Sequence, residues 1–190
     1  MEKSEKIKKI ISCDFDIDTH NGKSTILLYF PYSPYKYNCD TAEVDSFYIA
    51  YNIAYNAAIE YAKRLCAENI ACTANPKGDY KVAANRCGGV RGKNSLIYRK
   101  DYGSRFAIAA IELAEPVSGI TSEKNGIIMP CEGCDICKNA CPVSAIKDSS
   151  ENFDSSVCIR RFMLKPEKAN IDTVKAFGNK LIGCDICQKV

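Results

Sequence analysis

The chain has 190 residues, 46% hydrophobic and 26% charged, with a formal net charge of +3 and a pI near 8.2. That is ordinary for a soluble globular protein: one large domain or two small ones, able to bury a core without staples. No stretch approaches the ~18 apolar residues of a membrane span, and the mild charge neither demands nor excludes a nucleic-acid partner.

The N-terminal MEKSEKIKKIISCDF is charged and lacks the apolar centre of a signal peptide. A reducing, cytoplasmic setting is therefore expected, which suits free thiolates. Residues 2–11 carry Ile7, Ile10 and Ile11 among lysines, predicting a short amphipathic helix with a solvated face. CDFDIDTHNG then sets Asp14, Asp16 and Asp18 before Gly22, but no glutamate closes a calcium loop. Phe15 and Ile17 alternate ahead of Asn21-Gly22, and STILLYF follows, so the stretch predicts a β-hairpin. His20, the only histidine, should be exposed beside that turn.

PYSPYKYNCD is a loop, and Asp40 or Thr41 is available to cap a helix. Apolar residues from Val44 through Phe47, Tyr48, Tyr51, Tyr55, Ala58, Ile59, Ala62, Leu65 and Cys66 recur at helical spacing, predicting one helix over 43–69. Its tyrosines read as core and core rim. Residues 70–73 predict a strand, Asn75 to Gly78 a turn, and Asp79 to Arg86 a short helix. CGGVRGKNS follows, with Gly88, Gly89 and Gly92 permitting close backbone approach and Arg91 and Lys93 adding charge. It lacks the Gly-x4-Gly-Lys spacing of a nucleotide loop, leaving a plain tight turn as the alternative. Arg105 to Leu113 predicts a buried strand, and Glu115-Pro116 with the Gly119 to Pro130 loop marks a domain junction.

Seven of the twelve cysteines stand in the last 60 residues. Cys131, Cys134, Cys137 and Cys141, in CEGCDICKNACP, have the bacterial ferredoxin spacing for [4Fe–4S] ligation, in which three thiolates hold one cluster and the fourth reaches another. Short turns let successive thiolates face different iron corners while their N–H groups offset negative charge. Pro142 is expected to open a new helix, directing Cys141 to a second set with Cys158, Cys184 and Cys187. The first set then needs a fourth ligand. Continuing the second motif would place a cysteine just beyond Val190, so a sequence ending before its last Cys-Pro is the expectation, with an open iron as the alternative. Zinc favours two separated CxxC knuckles, which this run is too crowded to form. Cys13, Cys39, Cys66, Cys72 and Cys87 are scattered, as buried small hydrophobes would be.

Taken in order, NPKGDYKVAANRCGGVRGKNSLIYRKDYGSRFAIAAIEL, the CxxCxxCxxxCP run, Cys158-Ile-Arg-Arg and GCDICQ resemble epoxyqueuosine reductase, a family related to the reductive dehalogenases. The resemblance runs from about Ser24 to Val190. It is most specific at Gly89, Gly92, Lys93, Asn94 and Ser95, at Tyr102, Gly103 and Ser104, and at the seven cysteines. It implies an α+β architecture: a nitroreductase-like α/β domain over residues 1–120, binding a corrinoid (cobalamin) through those eight residues, then a ferredoxin-like domain over 121–190 with two [4Fe–4S] clusters. The family reduces epoxyqueuosine in tRNA to queuosine. The implied partners are therefore tRNA and an electron donor such as a ferredoxin or flavodoxin.

Three positions before Pro76, where the family has its acidic proton donor, this chain has Thr73, whose hydroxyl is a poor general acid. Cys87 replaces a family glycine, and only 23 residues precede the resemblance. Two functions are carried forward: a corrinoid-dependent reductase fed by the clusters, and a ferredoxin-like electron carrier that has lost the active site.

Overall fold

A computed structural model describes residues 2–34, 42–117, 131–163 and 165–190. Helix α1 (Lys3–Ile10) turns Ile7 and Ile10, followed by Ile11, into the core, while Lys3 and Lys6 pair with Glu115 and Glu68. Asn21 and Gly22 both take positive φ (51° and 74°), the turn geometry that matches strand twist in a two-residue hairpin. It joins β1 (Asp14–His20) to β2 (Lys23–Pro31) in register from Asp14↔Tyr29 to His20↔Lys23. His20 is exposed.

A two-residue strand, β3 (Glu43–Val44), precedes helix α2 (Ser46–Ala67). The helix therefore starts three residues later than its periodicity predicts, because Glu43 and Val44 are recruited into a pairing with a distant strand. Its cap is Asp45, whose carboxylate accepts from the Phe47 amide at 2.9 Å. The expected caps, Asp40 and Thr41, lie outside the described residues, as does Cys39.

The buried side of α2 keeps the predicted Ala58, Ala62 and Leu65 but takes Ala50 and Ala54 in place of the tyrosines nearer its start. Ala50, Ala54, Ala58, Ala62 and Leu65 face the core, and this near-smooth stripe brings the helix backbone close to Ala107 and Ala109 of the sheet. Tyr51 and Tyr55 are each 41% exposed. Those two tyrosines are not core, whereas Tyr61 is half-buried at its rim.

After α2 come β4 (Cys72–Ala74), helix α3 (Tyr80–Arg86) capped by the Asp79 carboxylate, a small hairpin of β5 (Val90–Arg91) and β6 (Ile97–Tyr98), and β7 (Phe106–Leu113). The sheet is four-stranded and antiparallel in the order β1-β2-β7-β4. Strands β2 and β7 read as continuous apolar runs because both faces are covered. Ile26, Leu28, Ile111 and Leu113 meet α1 and α2, while Leu27, Tyr29, Phe106 and Ala110 meet α3 and the hairpin. Inside this second layer Tyr29 donates to Asp16 at 2.8 Å and Arg99 donates to the same carboxylate at 2.5 Å.

The C-terminal third is short helices and turns: α4 (Ile136–Ala140), α5 (Ile159–Phe162), a 3-10 turn (Pro166–Lys168), α6 (Ile171–Phe177), β8 (Lys180–Ile182) and α7 (Ile186–Lys189). Parallel pairing of β3 with β8 ties this part to the start of α2. The proposed junction, including the 120/121 boundary, falls outside the described residues beyond Val117. No helix among those described is long and apolar enough to cross a membrane.

Candidate metal centre and the adjoining cavity

The cysteine-bearing segment repeats itself. Gly133-Cys134-Asp135-Ile136-Cys137 and Gly183-Cys184-Asp185-Ile186-Cys187 share sequence and backbone. Both glycines have positive φ (72° and 91°), both aspartates stand at a helix N-cap position (φ −121° and −117°), and α4 and α7 begin at the two isoleucines. The left-handed glycine reverses the chain so that one cysteine leaves the turn and the next rises from the first helical turn.

This arrangement gathers the thiols in two groups. Burial, followed by the neighbouring Cys131 and Cys134, raises the Cys137 thiol pKa. Burial and then Cys184, Cys137 and Cys158 push Cys187 up to about 12. Cys184 is raised by burial and further by Cys158, against a hydrogen bond from the Ile186 amide. Cys141, Cys158, Cys184 and Cys187 all open onto one cavity. The helices α4 and α7, which carry Cys137 and Cys187, pack against each other, so the two groups adjoin.

Among the described residues no three His, Cys, Asp or Glu side chains are spaced to hold a single ion. Tetrahedral zinc with bonds of about 2.3 Å would need sulfurs roughly 3.8 Å apart. A cubane spreads its ligands over separate iron corners, so four half-buried thiols around a shared cavity fit its donor chemistry. The Ala145 amide donates to Cys141 Sγ at 3.4 Å, the kind of contact that offsets charge on a ligated sulfur. Pro142 does not start a helix, because Ser144 takes a left-handed φ of 50° that breaks the helical path. The PVSAI segment is a turn that buries Ala145 and Ile146.

The cavity, about 860 Å³, lies between α2, the start of α3, the hairpin and the cysteine segment. Phe47, Tyr48 and Tyr51 form one wall, and Ile97, Phe106 and Ile108 another. The aromatic residues of α2 thus border a cleft beside the thiols. Lys81, Arg160 and Arg161 also line it. The Arg160 guanidinium lies 4.2 Å from the Phe47 ring centroid and 5.5 Å from that of Tyr48. Burial, then the like charges of Arg91 and Arg160, lower the Lys81 pKa. None of the three cations lining the cavity forms an ion pair with a carboxylate among the described residues, and Asp79 is the one aspartate in the lining. The cleft is aromatic, positive and adjacent to sulfur.

Of the eight residues singled out in the glycine-rich middle, Asn94, Ser95 and Ser104 line the cavity; Gly89, Gly92, Lys93, Tyr102 and Gly103 do not. A Cβ on Gly89 would meet Ile97 at 2.6 Å, and one on Gly92 would meet Tyr98 at 2.6 Å, so both glycines serve hairpin packing. Lys93 crosses to the cysteine segment, donating to the Cys134 carbonyl and the Asp135 carboxylate, each at 2.9 Å. Ser104 accepts from Gln188 at its carbonyl (2.9 Å) and hydroxyl (3.1 Å), and Arg105 donates to the Gln188 carbonyl at 2.8 Å. Tyr102 hydrogen-bonds Asp14, and Gly103 sits in an open turn with φ 58°. Lys93, Asn94 and Ser104 thus tie this middle stretch to the cysteine segment. Thr73 lies exposed on β4 opposite Glu112, outside the cavity lining.

Sequence reasoning missed Phe47, Tyr48, Lys81, Arg160 and Arg161. The Arg160-Arg161 pair beside Cys158 was one visible signal, and the aromatic stripe of α2, read as core and core rim, was another. Of the scattered cysteines among the described residues, only Cys87 is buried; Cys13 and Cys72 are half-buried, and Cys66 is exposed. Their small size does not force them inward where a helix end or sheet edge faces water.

Residues 130–190 match the 4Fe-4S double cluster binding domain. The chain is similar in sequence to curated epoxyqueuosine reductases: 36% identical over 104 residues to that of Cyclobacterium marinum and 32% over 113 residues to that of Bacillus subtilis. Those alignments cover 54% and 58% of this chain but 32% and 28% of the relatives. Among solved structures, epoxyqueuosine reductase from Streptococcus thermophilus superposes with a TM-score of 0.63 at 20% identity, over 88% of this chain and 47% of that one. An epoxyqueuosine reductase with an epoxyqueuosine-modified tRNA-Tyr stem loop gives a TM-score of 0.61, also at 20% identity, with the same coverage. The chain thus spans about half the length of the solved structures and about a third of the curated relatives. Its mixed α/β fold is similar to theirs.

Proposed function

We propose that this chain is an iron–sulfur oxidoreductase unit of the epoxyqueuosine reductase type, which delivers electrons from two [4Fe–4S] clusters into the cavity beside α2. The observation that carries this reading is the convergence of Cys141, Cys158, Cys184 and Cys187 on that cavity. They would hold one cluster, and Cys131, Cys134 and Cys137 three corners of the other. Residues 1–120 would then be the acceptor-binding domain and 121–190 the ferredoxin-like one. Such clusters, when bound, supply single-electron carriage at potentials anywhere in roughly −700 to +450 mV.

The chain's own residues do the rest. The two left-handed glycines and the α4 and α7 turns aim thiolates inward, and Lys93, Ser104 and Arg105 fix the cysteine segment against the hairpin. Phe47, Tyr48, Tyr51, Ile97 and Phe106 give the cleft apolar walls. A corrinoid fits its lining: the apolar walls would pack against the macrocycle, Asn94, Ser95 and Ser104 would meet its polar edge, and Lys81, Arg160 and Arg161 would meet anionic groups. A bound corrinoid would supply a strongly reducing cobalt centre. The same cations suit the phosphates of a nucleic-acid substrate, and the tRNA stem loop in a solved relative makes tRNA the first substrate to try. A small ferredoxin or flavodoxin would serve as donor, in a cytoplasmic setting.

The position of Thr73 favours a second reading. Exposed on the edge strand, its hydroxyl does not reach the cavity, and a hydroxyl is a poor proton donor near neutrality. A chain with this residue would keep the electron path while lacking the acid that completes the reduction. Anaerobic purification and metal analysis separate the two. Iron near eight per chain together with retained corrinoid identifies the reductase. The same iron with no corrinoid uptake identifies an electron carrier, and a colourless, iron-free protein overturns both.

A further inference from the structure

Helix α2 ends far from the cavity. Asn52, on the cavity wall, and Cys66, in the last turn, are 14 residues apart along one helix, a separation of about 21 Å. At that distal end the Sγ atoms of Cys66 and Cys72 lie 3.8 Å apart, one on the helix and one on the sheet-edge strand β4. The connection between them is ordered. Amides of Asn69 and Ile70 donate to the Cys66 and Leu65 carbonyls at 3.0 Å each, and Asn69 takes a left-handed φ of 61°. The two thiols differ in access: Cys66 is exposed and Cys72 half-buried. Cys72 also donates to the Ala62 carbonyl at 3.6 Å. Burial, followed by the Cys66 thiol, holds Cys72 protonated, up to about 12.

We infer that Cys66 and Cys72 form a peroxide-oxidisable dithiol, with Cys66 as the attacking thiol and Cys72 as the resolving one. The Cys66 thiolate attacks one oxygen of hydrogen peroxide, the O–O bond breaks, and the hydroxide released takes a proton to become water. Cys66 is left as a sulfenic acid. The Cys72 sulfur then attacks the Cys66 sulfur, the S–OH bond breaks, and the leaving hydroxide takes the Cys72 proton as a second water. In sum, two thiols and one peroxide give one disulfide and two waters. Closing from 3.8 Å to the roughly 2.05 Å of a disulfide requires the exposed Cys66 side chain to move toward Cys72. None of the seven cysteines assigned to the clusters takes part.

The test is anaerobically purified full chain exposed to one equivalent of hydrogen peroxide, then alkylated and peptide-mapped. The expected result is a 66–72 disulfide, seen as a loss of two hydrogens and of alkylation at both positions, forming before any cysteine from 131 to 187 is modified. Cys72→Ser should lose the disulfide and leave Cys66 trapped as a dimedone-reactive sulfenic acid. Full alkylation of both thiols after peroxide, or over-oxidised Cys66 with Cys72 still free in the native sequence, would overturn the proposal. A Cys72→Ser chain that shows no dimedone adduct at Cys66 would refute the assigned order of attack.

Discussion

Cys184 carries two burdens at once. It follows the left-handed Gly183, and it faces the same cavity as Cys141, Cys158 and Cys187. On the proposed assignment, replacing it together with Cys158 by serine leaves the second cluster two corners, fewer than the three that hold the first, so iron should fall from about eight to about four per chain. Cys13→Ser, at a half-buried position outside both groups, should leave iron unchanged. Elemental analysis of the two variants side by side checks this. A different residue-scale dependence sits under the sheet. Arg99 and Asp16 are 8% and 10% exposed at their side chains, pair at 2.5 Å, and share Tyr29, whose pKa burial and the Asp16 charge drive upward. Arg99→Met strands a buried carboxylate with only a phenol to satisfy it. Such single-partner removals cost about 3–5 kcal/mol, to be read as a drop in the denaturant midpoint. A loss under 1 kcal/mol would mean that water reaches Asp16.

Among the elements, the hairpin of β5 and β6 shows how packing and site geometry are joined. Its turn presents Lys93 and Asn94 to the cysteine segment, and its root is Gly89, where a Cβ would meet Ile97 at 2.6 Å and the Ala84 carbonyl at 2.9 Å. Gly89→Ala must push the hairpin off α3. Overpacking of that kind costs about 1–3 kcal/mol, and here it should also loosen the cluster segment. The check is a lower thermal midpoint together with faster loss of visible absorbance under a chelator. Asp79→Ala is the milder companion. It removes the cap that accepts from the Lys81 and Val82 amides at 3.0 and 3.3 Å, worth about 1 kcal/mol, without touching the hairpin.

At the level of the whole molecule, the two parts of the chain are joined around Glu43. Its carboxylate accepts from Lys180 at 2.6 Å and Lys189 at 2.9 Å beside the β3–β8 pairing, and Asp185 meets the same lysines at 3.7 and 3.1 Å. Burial by itself would raise the Glu43 pKa; the hydrogen bonds from Lys180 and Lys189 outweigh it and hold the carboxyl below its ordinary 4.5. A depressed folded-state pKa contributes stability that is fully present above the ordinary value and is lost as pH falls through the lower folded one. The native chain should therefore lose stability on acidification below about 4.5 more steeply than Glu43→Gln, the two curves converging at the acid end. Denaturant midpoints measured from pH 6 down to about 3 test this, and parallel curves would remove Glu43 from the latch.

The hairpin turn at Asn21-Gly22, the short helix behind Asp79, the apolar β7 run and the cysteine spacings were legible because each is local. Positive φ, an N-cap carboxylate and x2-x2-x3 spacing act within a few residues, so the amino-acid order alone determines them. The buried side of α2 was legible at Ala58, Ala62 and Leu65 but not in the first half of the helix. Its tyrosine and alanine stripes share one period, and only a sheet offering Ala107 and Ala109 selects the smaller one, leaving Phe47, Tyr48 and Tyr51 to border a cleft. The contact of Lys93 with Asp135, 42 residues away, was likewise beyond any local rule. The sequence by itself determined the donor chemistry, sulfur in iron-binding order. The tertiary structure alone decided what lies beside that sulfur, because packing across the sheet and the β3–β8 pairing bring α2 and the cysteine segment together over distances no local rule spans.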